Sequence, residues 1–341
     1  MNRRPLGKSG LLVSEVGLGC EHLQGMEYGQ IKAVVDAALD AGINIFDIFM
    51  SEPQVRSDLG KALRGRRDEV LLQGHIGAAW LNGQYCRTRD LEQCRLFFED
   101  FLTRLETDTV DLGMLHFVDT EEDYASVFDS AVIDYALELK ASGKIRALGM
   151  SSHNPYIARR AVETGLLDAL LFSVNPAYDL LPETVDIDGL FRGETYLDDS
   201  LSGTDPARAA LYRACEAQQV GITVMKGFGA GALQIKKHRF GVWLVLFGIV
   251  GENDGGKIIS QFKWGKGDLE FCPGLGGDDA KMVSPQDQAF QKMGNPVKQA
   301  ELSQISPAFI APAAVCGFDI RKAQHPQGGP GRHREGKTQF C

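Results

Sequence analysis

The chain lacks closely spaced cysteines. Its seven, Cys20, Cys86, Cys94, Cys215, Cys272, Cys316 and Cys341, are scattered and form no Cys-x-x-Cys motif. They read as reduced thiols in a cytosolic protein. Basic residues are also in deficit, with 36 Lys and Arg against 45 Asp and Glu, a net charge of -9 and a pI near 5.4. Without a basic stripe to neutralise phosphates, a nucleic-acid surface is excluded. Long apolar runs are missing too. The most apolar stretch, 240–250, is far shorter than the roughly 20 residues a membrane helix requires. The start Met1-Asn2-Arg3-Arg4 leads straight into Pro5-Leu6-Gly7, so no signal peptide is expected. The expected setting is therefore the cytoplasm, with a small-molecule substrate and neither nucleic acid nor membrane as partner.

What is present is a rhythm. With 44% hydrophobic and 24% charged residues the composition is that of a globular protein. Apolar runs alternate with stretches of helical period. Strands are expected at 13–19, 43–49, 69–76, 109–116, 144–150, 168–174 and 221–225. Helices are expected at 31–41, 55–63, 90–105, 123–141, 155–164 and 205–218, the first closed by Gly42. Strands separated repeatedly by helices imply a parallel sheet covered by helices. Seven of them favour a (β/α)8 TIM barrel, and 341 residues suffice for one of roughly 250 plus an extension. A doubly wound sheet lacks support, because no Gly-x-Gly-x-x-Gly follows the first strand.

After Leu233 the rhythm stops. From Gly251 glycine, proline and polar residues follow no period, and 325–337 has the composition of a disordered tail. The last βα unit is atypical or missing. Two explanations stand side by side: an unusual closure by 240–250 and 256–264, or a reading-frame error in the source sequence. The expected division is a barrel over 1–233 and an atypical C-terminal region over 234–341.

Several segments, in order, resemble the aldo-keto reductases. Leu6-Gly7-Lys8-Ser9-Gly10-Leu11-Leu12-Val13-Ser14 with Val16-Gly17-Leu18-Gly19 is similar to the N-terminal β-hairpin that plugs the bottom of that family's barrel. Ala41-Gly42-Ile43-Asn44-Ile45-Phe46-Asp47 resembles its second strand, ending on the catalytic aspartate. Arg104-Leu105-Glu106-Thr107-Asp108-Thr109-Val110-Asp111-Leu112 with Leu115-His116 resembles the segment that delivers the catalytic histidine. Leu148-Gly149-Met150-Ser151-Ser152 is similar to the Gly-x-Ser-Asn motif that binds the nicotinamide carboxamide. The resemblance implies an oxidoreductase using NADP or NAD on a small carbonyl or alcohol. It also implies that Ser151, Ser152, Asn175 and Lys226 line the cofactor.

The chemistry departs from that pattern. In the family a tyrosine five residues after the aspartate donates a proton, and a lysine on the next strand acidifies it. Here Glu52 stands at the first position and His75 at the second, while Asp47 and His116 are kept. The expected roles are His116 orienting the carbonyl, Asp47 fixing the charge of its neighbour, and His75 donating the proton. Tyr85, in the loop 82–85, is a second candidate donor or simply a loop anchor. Read without the family, His22, Asp47, His75, His116 and His153 all fall at or after strand ends. That allows a metal-dependent barrel enzyme as an alternative. A non-catalytic barrel keeping a ligand pocket is a third reading.

Overall fold

A strand covered on both faces needs consecutive apolar residues rather than alternating ones, and the apolar runs of this chain form such strands. The computed structural model describes residues 1–175, 177–196 and 200–227. Its elements begin with Arg3–Pro5 (β1), Leu12–Ser14 (β2), Leu18–Gly19 (β3), Tyr28–Asp40 (α1), Ile45–Ile48 (β4) and Pro53–Ala62 (α2). Leu71–Ile76 (β5), Ala78–Leu81 (β6), Gln84–Arg87 (β7), Leu91–Arg104 (α3), Val110–Leu115 (β8) and Glu121–Phe128 (α4) follow. Then come Ala131–Ala141 (α5), Ile145–Ser152 (β9), Pro155–Glu163 (α6), Ala169–Ser173 (β10), Pro206–Ala217 (α7) and Gly221–Met225 (β11).

Seven strands form one sheet in the order β3-β4-β5-β8-β9-β10-β11, and every neighbouring pair is parallel. Spatial order follows chain order without the reversal of a doubly wound sheet. These are the staves of a (β/α)8 barrel. The curl is visible in one contact: Thr223 on β11 reaches Gln73 on β5 at 3.4 Å, across the inside.

Alternation then sorts the side chains. Phe46, Ile48, Leu72, Leu148, Met150, Phe172 and Val224 point outward against helix residues such as Leu59, Phe98, Phe101 and Leu211. Ile45, Leu112, Met114, Ala147, Ala169 and Leu171 point inward and pack on Leu6, Leu11 and Val13. Each such apolar side chain contributes on the order of 1.5–3 kcal/mol on burial. Leu6, Leu11 and Val13 come from the N-terminal β-hairpin, whose register pairs Arg4 with Val13. They fill the end of the barrel where the strands begin. The polar inward residues are left at the other end.

Gly42 sits just past α1 with φ of +82°, the left-handed geometry that lets the Gly42 amide bond back to Leu39. Three expectations need correction. The strand expected at 13–19 is two pieces, because β2 belongs to the hairpin and only β3 joins the sheet. The helix expected at 123–141 is two, because the Ser130 hydroxyl accepts from the Val132 amide and starts α5 afresh. The loop expected at 82–85 is the turn and second strand of a hairpin, β6–β7. Asn82 and Gly83, at φ of +53° and +78°, make its two-residue turn. The boundary at 233/234, the closing segments 240–250 and 256–264 and the tail 325–337 lie outside the described residues. Among the described residues no helix is long and apolar enough to cross a membrane.

Candidate active site

The inward positions of adjacent strands meet at the C-terminal end of the sheet, where barrel sites are built. Asp47 follows Ile45 on β4, and Gln73 and His75 follow Leu71 on β5. His116 follows Met114 just beyond β8. Asp47, His75 and His116 are each no more than 5% exposed.

These groups form one hydrogen-bonded chain. Gln73 donates its Nε2–H to Asp47 Oδ1 at 2.6 Å. His75 Nε2 lies 2.9 Å from the same oxygen. His75 Nδ1 lies 2.8 Å from His116 Nδ1. His116 Nε2 meets the hydroxyl of Tyr85, which β7 brings over the strand ends. The buried Asp47 carboxylate thus has two donors, the condition under which a buried charge is tolerated. Phe49 walls the group, its ring stacked on His116 at 5.7 Å and edge-on to His75 and Tyr85 at 6.0 Å each.

Burial disfavours charge here. It holds His116 well below the usual imidazole range, and His75 adds to the effect. It pushes the half-buried Tyr85 phenol up, against the opposing pull of Arg87 and Arg89. Glu52 is occupied elsewhere: its carboxylate accepts from the Val55 amide at 2.7 Å and caps α2. His75, expected to donate a proton outward, has both ring nitrogens engaged inside the chain.

A second polar group lies at the ends of β9, β10 and β11. Ser151 Oγ accepts from the Phe117 amide at 2.8 Å. Ser152 Oγ donates to Asp119 at 3.0 Å. Asn175 donates to the Lys226 carbonyl at 2.9 Å and accepts from the amides of Ala177 and Tyr178. Lys226 Nζ donates to His153 Nε2 at 2.9 Å, and His153 Nδ1 lies 2.8 Å from Asp119. Asp119 therefore fixes the His153 tautomer, leaving Nε2 as the acceptor. Burial lowers the pKa of Lys226 and of His153. Burial alone would raise Asp119, but His153 and the hydrogen bonds outweigh it and bring the carboxyl below its usual range.

The structure thus brings Asp47, His75 and His116 into one line and sets Ser151, Ser152, Asn175 and Lys226 beside it. It does not assemble the metal set. His22 is exposed in the turn after β3, and His153 belongs to the second group. His75 and His116 aim nitrogens at each other rather than at a common point. Among the described residues no three His, Cys, Asp or Glu side chains are placed to hold a metal ion. Sequence reasoning missed Gln73, Asp119 and the place of Tyr85. Asn82-Gly83, a two-residue turn signal after the apolar Ala78–Leu81, was the available signal for the last.

Residues 15–240 match the profile of the Aldo/keto reductase family. The uncharacterized oxidoreductase YqkF of Bacillus subtilis is 31% identical over 187 residues, 54% of this chain and 59% of that protein. The aldo-keto reductase YhdN of the same organism is 29% identical over 189 residues, 53% of this chain and 54% of that protein. The chain therefore spans between half and two-thirds of the length of these curated relatives. A solved aldo-keto reductase from Bacillus halodurans, in its holo form, superposes with a TM-score of 0.55 at 21% identity. That match covers 95% of this chain and 89% of the other, and it speaks for the fold.

Proposed function

Because the chain belongs to the aldo/keto reductase family, we propose that it is an NAD(P)H-dependent oxidoreductase that reduces a small carbonyl compound or oxidises the corresponding alcohol. The observation that carries this reading is the line Asp47–His75–His116–Tyr85, which ends at the open end of the strands. Carbonyl reduction needs a proton at an oxygen that is gaining negative charge, and this line holds transferable protons at one point.

The residues fit a nicotinamide on a separate observation. Ser173, two positions beyond the inward-facing Leu171, has a buried hydroxyl without a hydrogen-bond partner among the described residues. A buried polar group of that kind calls for an explanation, and a polar ligand at the strand ends supplies one. Ser151, Ser152, Asn175 and Lys226 would hold the nicotinamide end around it. The bound cofactor would supply the hydride. Asp47 with His75 would set the protonation of His116, which stands behind the group that meets the carbonyl. The acidic composition and scattered cysteines support a cytoplasmic small-molecule enzyme.

Fluorescence titration of the purified protein with NADPH and with NADH tests the reading and separates the two nucleotides. Saturable binding of at least one below millimolar concentration, with turnover of a small aldehyde, is expected. No binding of either at millimolar concentration would overturn it.

A further inference from the structure

We propose that Tyr85 is the proton donor to the reacting carbonyl and that His116, His75 and Asp47 form the relay that resupplies it. The inference rests on the redox reading above.

Four observations point to Tyr85. Glu52 is spent on the cap of α2. His75 has Asp47 at 2.9 Å on one nitrogen and His116 at 2.8 Å on the other, so it has no ring nitrogen left for a substrate. His116 is likewise bracketed by His75 and Tyr85. Asp47, His75 and His116 are buried, and Tyr85, at the outer end, is half-buried. A carbonyl arriving from outside meets the phenol first.

Hydrogen counting gives the chain two states. With both imidazoles neutral, each link donates toward Asp47: Tyr85 O–H to His116 Nε2, His116 Nδ1–H to His75 Nδ1, and His75 Nε2–H to Asp47. One added proton reverses the outer links. His75 then donates from both nitrogens, and His116 receives at Nδ1 and carries its hydrogen on Nε2. His116 donates that hydrogen to the Tyr85 oxygen, and the Tyr85 O–H turns outward.

In reduction, a hydride adds to the carbonyl carbon and the C=O π pair moves to oxygen. That oxygen takes the Tyr85 proton, Tyr85 takes the His116 Nε2 proton, and His116 Nδ1 takes the proton from His75. The products are the alcohol, the oxidised nicotinamide and the neutral state of the relay. One solvent proton resets it. Tyr85 is never left as a phenolate in surroundings whose burial disfavours one. The charged and titratable groups facing the relay are Cys20 just past β3, Glu21 from the turn that follows, Arg87 and Arg89 from the hairpin side, Cys86, His153 from the end of β9, and Lys226 just past β11.

The test is Tyr85→Phe in the full chain, with NADPH titration, aldehyde turnover and a pH profile in both directions. Loss of about 10² to 10⁴ in turnover with unchanged NADPH affinity is expected, the usual contribution of a positioned acid–base group. In the wild type, reduction should fall and alcohol oxidation should rise as pH increases, since the two directions use opposite states. Retention of turnover within about threefold in Tyr85→Phe would overturn the proposal while leaving the redox reading intact. Nitrogen NMR of the histidine rings reads the relay without any cofactor. His116 should carry its hydrogen on Nδ1 at high pH and on Nε2 after the chain takes up one proton. A hydrogen on His116 Nε2 at every pH would also overturn the proposal. A wild type that binds no nicotinamide cofactor overturns the redox reading and the donor role with it.

Discussion

His75 and His116 meet nitrogen to nitrogen, Nδ1 to Nδ1 at 2.8 Å, with their rings 79° apart. One hydrogen must lie between these two atoms, and two cannot. The pair therefore holds at most one positive charge. Asp47 at the far side of His75 decides where that charge rests.

Replacing His75 with Ala removes the middle of the line. Turnover is expected to fall by about 10² to 10⁴, with little change in cofactor affinity, since His75 touches none of the residues proposed to hold the nicotinamide. Steady-state kinetics beside an NADPH titration reads this. Equal losses in binding and turnover would point to a structural role instead.

Burial lowers the pKa of both His116 and His153. Their unfolded forms take up protons near pH 6.5, and their folded forms resist until lower pH. The unfolded chain therefore binds more protons in that window, and stability falls as pH drops below about 6.5. Each such group contributes a slope of up to about 1.4 kcal/mol per pH unit. Thermal melting between pH 7.5 and 5 should show the decline, and His116→Gln should flatten it.

Gln73→Leu deletes a buried donor to Asp47 at 2.6 Å and the contact across the barrel to Thr223. The carboxylate would lose one of its two side-chain partners without reaching water. A cost of about 1–3 kcal/mol is expected, read as a lower denaturant midpoint with an unchanged slope. No shift in midpoint would mean that another group satisfies Asp47.

Gly74, beside His75, faces outward, and a Cβ there would lie 2.8 Å from the Phe101 ring. Phe101 is 1% exposed and stands in the packed layer between sheet and helices, so it has nowhere to retreat. Gly74→Ala should destabilise by about 1–3 kcal/mol through overpacking. A melting temperature equal to the wild type's would show that α3 yields.

Much of the frame was legible from the residues alone. Six of the seven sheet strands were, because a strand covered on both faces needs a contiguous apolar run; the first, expected at 13–19, is the short β3 alone. The helices between them, apart from the break at Ser130, and the Gly42 stop were legible for equally local reasons, whereas the N-terminal plug was legible through the family resemblance. So was the delivery of Asp47, His75 and His116 to one end of the sheet, since each lies at or just past the close of its run.

The linkage of those three residues was not legible. His75 and His116 are 41 positions apart, and whether their nitrogens touch depends on strand register and the curl of the sheet. Local periodicity specifies neither. The hairpin that lays Tyr85 on His116, the diversion of Glu52 to a helix cap and the Asp119–His153–Lys226 group arise the same way. Each depends on which long-range hydrogen bond satisfies a buried polar group, and only the closed packing of the tertiary structure determines that.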